Sequence, residues 1–245
     1  SSLLHGVKVD DSPASNLWHW IVWFRDSEEC EDKSKDSLKD CAPNDAFCLS
    51  LHADSGAAMR QEDIMRFHEE AAKMGLSTSM VRLARAYLKQ LPSNLPLDFS
   101  KAASLYREAV AVAREPDAMY GLANLLLQGI LQAKITKNEG DKKITKMGDM
   151  LQEVAYLLEG AAKAGHAFAM FNLGVMHLHG YAMAWGGEKD MDLAALWFET
   201  SGIPEGFHFA SLCYSSHGNE QKSKDLAARA KKLGYGTQWR KKARE

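Results

Sequence analysis

The stretch LLEGAAKAGHAFAMFNLGVMHLHG (Leu157 to Gly180) carries the pattern from which the rest of the chain can be read. Ala155, Ala161, Ala162 and Ala164 are small enough to let neighbouring helices approach closely, and Leu at Ala161 or Ala162 would overpack the contact. Gly165 then offers the left-handed backbone on which α-helices commonly end. Past it, Met170, Leu173, Gly174, Met176 and His177 recur at three- and four-residue steps, the period of a second helix, which Gly180 closes. Two helices joined by a tight turn are thus written into 24 residues.

Working outward, the same pattern returns. HEEAAKMGLSTSMVRLARAYLKQ (His68 to Gln90) resembles it, as do LYREAVAVAREPDAMYGLANLLLQG (Leu105 to Gly129) and FETSGIPEGFHFASLCYSSHG (Phe198 to Gly218). The ends Gln90, Gly129, Gly180 and Gly218 fall in register at intervals of 39, 51 and 38 residues, the long one reflecting an insertion of about twelve residues near Gln132 to Asp149. Periods of this size predict a helical solenoid of helix–turn–helix units. Asp192 is expected to precede the next first helix, in which Ala194, Ala195, Trp197 and Phe198 correspond to Ala102, Ala103, Leu105 and Tyr106.

The pattern resembles the Sel-one-like repeat, a relative of the tetratricopeptide repeat. It is best met by Ala169, Leu173, Gly174, Gly180, Asp192, Ala195, Trp197 and Phe198, with Ala161, Ala162 and Gly165 closing the preceding unit. Two copies depart from it: Ala123 stands where Gly174 does, and Thr200, Ser201 and Pro204 interrupt the last unit. The resemblance implies an all-α fold, a right-handed α-solenoid of helix–turn–helix repeats over 61–236. An irregular N-terminal extension (1–60) and a basic C-terminal tail (237–245) flank it. Members of this family are generally adaptors that hold other proteins in larger assemblies, in cytosol, endoplasmic reticulum or mitochondria. That implies a non-catalytic scaffold or accessory subunit; the mitochondrion is the compartment expected over the cytoplasm.

Composition agrees with a folded helical domain. Of 245 residues, 46% are hydrophobic and 25% charged, and 30 basic side chains nearly balance 32 acidic ones. The longest apolar run, LWHWIVWF (Leu17 to Phe24), is too short to cross a bilayer as a helix. The charge is nevertheless polarised: residues 1–60 are net −5 and residues 221–245 net +7. Ser1 stands first, so a removed leader would leave no trace and no compartment follows from its absence.

Contact surfaces are expected at the two ends. Trp18, Trp20, Trp23 and Phe24 form an aromatic cluster of the kind in which binding energy concentrates, to be covered either by a partner or by the chain's own repeats. Lys231, Lys232, Trp239 and Arg240 form a basic, aromatic-bearing C-terminal surface. Other protein subunits are the expected partners; RNA is the alternative, through that basic segment alone, because residues 61–220 are net −4 and offer no continuous groove for phosphates. Cys30, Cys41 and Cys48 do not have zinc-ligand spacing; they fit a disulfide in an oxidising compartment or free thiols in a reducing one. No N-x-S/T sequon occurs.

Each catalytic signature fails at a nameable position. HEEAA (His68 to Ala72) begins like a zinc-protease helix, but Ala72 cannot ligate. His177 and His179, two apart on a helix, point to different sides, with His177 expected towards the core and His179 towards the rim. There is no G-x-S-x-G elbow, no Ser followed at +3 by Lys, and no phosphate-binding glycine loop. No enzyme, cofactor or metal is therefore expected. The rival reading is an unfamiliar site on a concave face around His166, His177, Trp197 and His208.

Overall fold

A computed structural model describes residues 61–91, 93, 95–135, 141–181 and 188–235; the N-terminal extension with Trp18, Trp20, Trp23, Phe24, Cys30, Cys41 and Cys48, and the tail with Trp239 and Arg240, lie outside them. Every described element is a helix: α1 Gln61–Lys73, α2 Ser77–Tyr87, α3 Phe99–Ala113, α4 Pro116–Ile135, α5 Asp141–Lys163, α6 Ala167–His179, α7 Met191–Thr200, α8 Pro204–Ser216 and α9 Glu220–Lys232. They fall into two compact units, one ending at Leu125 and the other starting at Leu126.

In the first unit α1 packs on α2 and α2 on α3. In the second, α5, α6, α7, α8 and α9 pack each on the next. This is the up-and-down packing of an α-solenoid, in which each helix buries one stripe against its sequence neighbours. The repeat fixes which stripe. His68, Tyr106, Leu158 and Phe198 hold one place on α1, α3, α5 and α7, and all are buried. Three residues later Ala71, Ala109, Ala161 and Ser201 are buried too. On the facing helices the buried positions are Ser79, Leu83 and Ala84; Ala118, Leu122 and Ala123; Ala169, Leu173 and Gly174; and Gly206, Ala210 and Ser211. His68, Tyr106 and Phe198 on the odd-numbered helices thus meet Ser79, Gly121 and Gly174 on the even-numbered ones.

The turns use one device repeatedly. After α5, the Gly165 N–H donates to the Ala162 carbonyl and the His166 N–H to the Ala161 carbonyl, the paired bonds of a Schellman motif on a left-handed residue. The ends of α1, α6, α8 and α9 repeat it at Gly75, Gly180, Gly218 and Gly234. After α2 the left-handed residue is Lys89 (φ 60°), and after α3 it is Arg114 (φ 49°), so two turns are made without glycine.

The structure corrects two expectations. Gly129 does not end a helix: α4 runs through it to Ile135. One glycine costs a helix only about 1 kcal/mol against alanine, less than the flanking turns contribute. The insertion is accordingly absorbed in part by long helices, α4 with 20 residues and α5 with 23. The cap of α7 is Asp190, not Asp192; its Oδ1 accepts from the Leu193 N–H at 2.8 Å. Asp98 does the same for α3, accepting from the Lys101 N–H at 2.9 Å. The residues that interrupt the motif in the last unit fall at the junction of α7 and α8. Ser201 Oγ donates to the Phe198 carbonyl at 2.6 Å, Thr200 Oγ1 to the Leu196 carbonyl at 2.7 Å, and Pro204 sits in the first turn of α8, where a missing N–H costs nothing.

Candidate functional site

A groove of about 520 Å³ opens at one end of the second unit, lined by His177, Glu188, Lys189, Asp190, Met191, Asp192, Leu193 and His217. The end of α6, the entry to α7 and the end of α8 build it. The Asp190 N–H donates to the His177 carbonyl at 3.0 Å, tying the entry of α7 to the end of α6 while the Asp190 carboxylate caps α7. The first unit repeats the tie, the Asp98 N–H donating to the Tyr87 carbonyl at 3.1 Å. Asp192, freed from capping, instead faces His217, Oδ1 to Nδ1 at 3.0 Å. His177 is half-buried at the groove rather than in the core, and burial outweighs Asp190 and Glu159 in holding its imidazole below the ordinary range.

The histidines of the rival reading have separate local uses. His166 caps α6, its Nδ1 accepting from the Ala169 N–H at 3.1 Å. His177 borders the groove, and His208 on α8 stacks on Tyr235 with ring centres 4.2 Å apart. His179 is likewise half-buried and stacks on Tyr181. Trp197 is half-buried on α7. Among the described residues no three His, Cys, Asp or Glu side chains are grouped to hold a metal ion. Cys213 is buried on α8 with its thiol pKa raised by that burial and by Asp192, so it stays protonated and is a poor nucleophile.

Lys231 and Lys232 lie in the last turn of α9 and are exposed. A second exposed feature is apolar. Tyr156 on α5 and Leu196 on α7 stand at the same repeat place, two residues before Leu158 and Phe198, and are 62% and 54% exposed. The Asp192–His217 pair is not evident from spacing, because it joins residues 25 apart in the chain.

Repeated helix pairs with small-residue seams define the chain as an all-α helical-repeat protein of the α-solenoid class. Its fold is that of Sel1 repeat proteins. A Sel1 repeat protein from Oxalobacter formigenes superposes with a TM-score of 0.63 at 18% identity, over 82% of this chain and 78% of that one. The protective antigen c5321 of uropathogenic Escherichia coli, which displays an SLR fold, gives 0.53 at 16% identity, over 80% of this chain and 44% of that one. No family model and no curated protein sequence matches the chain.

Proposed function

We propose that the protein is a non-catalytic helical-repeat scaffold, an accessory subunit that holds other proteins in a larger assembly. One observation carries this reading: Asp190 in the groove serves the fold, capping α7 and tying it to the end of α6, while Leu196, Lys231 and Lys232 are exposed. In this reading the Trp18, Trp20, Trp23 and Phe24 cluster is one partner surface. Lys231, Lys232, Trp239 and Arg240 form the other, and the assembly is mitochondrial. Co-purification under mild conditions with mass spectrometry of the bound proteins tests it. Trp20→Ala with Trp23→Ala is expected to strip a defined set of proteins; an unchanged set removes the aromatic surface from the reading. Recovery of RNA instead, lost steeply with added salt, would favour ribonucleoprotein contact through the basic segment.

A further inference from the structure

Helix α9, the last of the described helices, packs on α8 through few buried side chains. Of its 13 residues only Leu226 and Ala230 are buried, whereas α6, of the same length, buries seven. Its other described contacts with α7 and α8 are polar or lie across ring faces, at three points. At its start, Lys222 Nζ stands 2.8 Å from Glu199 Oε2 on α7. The same ammonium donates to Tyr214 Oη on α8 at 2.9 Å and lies 4.1 Å above that ring. Tyr214 Oη in turn donates to Glu199 Oε2 at 3.2 Å. Towards its end, the Arg229 guanidinium lies 4.2 Å above the ring of Phe207. Just beyond, Tyr235 stacks on His208.

The first unit makes one of these contacts in another setting. Lys101 lies 4.6 Å above the ring of Tyr87, but its helix α3 also buries Ala102, Tyr106 and Ala109. There the cation lies beside three buried side chains; on α9 it lies beside the two that pack on α8. Segments with few buried apolar side chains open at lower free energy than the core, and partly exposed ion pairs weaken as salt screens them. Phe207 is only 1% exposed with Arg229 over it, so release of α9 would bare an aromatic face on α8.

We propose that α9 is a strap that opens as a unit while α5 to α8 stay folded, with the Lys222–Glu199–Tyr214 cluster as its clasp, and that opening uncovers Phe207 and Tyr214. The proposal stands apart from any identity of partner. Hydrogen exchange of the full chain, followed by mass spectrometry, tests it with Lys222→Gln and Lys222→Arg. Amides of 220–232 are expected to exchange faster than those of α6 in the parent protein. Lys222→Gln should speed them further by about threefold to tenfold, as loss of one partly exposed charge-assisted contact implies, with α6 and α7 unchanged. Lys222→Arg keeps the charge and should stay within about twofold of the parent. Roughly 0.5 M salt should accelerate α9 in the parent more than in Lys222→Gln. Exchange of α9 as slow as that of α6 would overturn the strap. A Lys222→Gln protein that leaves α9 unaltered, or speeds α6 equally, would overturn the clasp.

Discussion

The ring of Phe198 on α7 rests on the backbone of Gly174 on α6: a Cβ built at Gly174 would come within 2.8 Å of two Phe198 ring atoms and 3.2 Å of the Ala194 carbonyl oxygen. The glycine is there for proximity, not for an unusual backbone angle. It lets the ring turn towards Phe171 and Phe209, with ring centres 5.2 and 5.5 Å away, closing an aromatic cluster among α6, α7 and α8. In the first unit the ring of Tyr106 presses on Gly121, where a Cβ would come within 2.4 Å of it.

Gly174→Ala should therefore destabilise the protein by about 1–3 kcal/mol, the usual cost of overpacking. Gly129→Ala, where the nearest atom to a new Cβ is 3.8 Å away on Met150, should instead stabilise α4 by up to about 1 kcal/mol. Urea denaturation of the two variants reads both signs. Pairing Gly174→Ala with Phe198→Leu should recover part of the loss, because the two residues share one contact.

A buried histidine makes the first unit acid-sensitive. His68 is 2% exposed, its Nδ1 lies 3.2 Å from Ser79 Oγ, and burial, with Arg82 on α2 adding repulsion, lowers its pKa from 6.5 to about 4. Because the folded value lies below the unfolded one, His68 costs nothing above pH 6.5. Stability is lost progressively as pH falls from 6.5 towards 4, by as much as on the order of 3 kcal/mol. The α5–α6 repeat places Leu158 and Ala169 at the positions of His68 and Ser79. His68→Leu with Ser79→Ala should accordingly flatten the pH profile of thermal unfolding between 6.5 and 4. An equally steep profile in the double variant would assign the acid sensitivity to other groups.

The two aspartates before LAALWFE should behave differently. Asp190→Ala removes the cap of α7 and is expected to cost about 1 kcal/mol, within the range for such caps. Asp192 is 87% exposed and pairs with His217, so Asp192→Ala should change stability by less than about 0.5 kcal/mol. Equal losses in chemical denaturation would contradict the cap assignment.

Ala161, fully buried at the α5 seam, and Ala164, exposed one turn later, give a similar contrast. Ala161→Leu should cost about 1–3 kcal/mol, while Ala164→Leu should be nearly neutral. Melting temperatures of the pair are sufficient to compare them.

Most of the architecture is legible from short-range pattern. The alternation of AAKAG-type turns with apolar three- and four-residue steps already separates α5 from α6 and α1 from α2, because the period and the left-handed glycine act locally. Where the reading fails, the competition is between local signals of similar strength. Gly129 looks like Gly180, yet only Gly180 has a left-handed angle, because an ordinary helix can carry a glycine and the helix after it decides whether to turn. Asp190 and Asp192 both suit a cap, and the bond from Asp190 to the His177 carbonyl selects the first.

The candidate surfaces divide the same way. The paired charge totals, the aromatic cluster at Trp18 to Phe24 and the basic end at Lys231 and Lys232 are properties of sequence alone. That Lys222 meets Glu199 and Tyr214, that Asp192 meets His217, and that His68 sits neutral beside Ser79 were decided by packing. The physical reason is range. Helix periodicity and turn chemistry act over a few residues and repeat, so a chain with four imperfect copies announces them. A side chain's partner and protonation state depend on which helix lies opposite and how much water remains between them, and only the folded chain sets those.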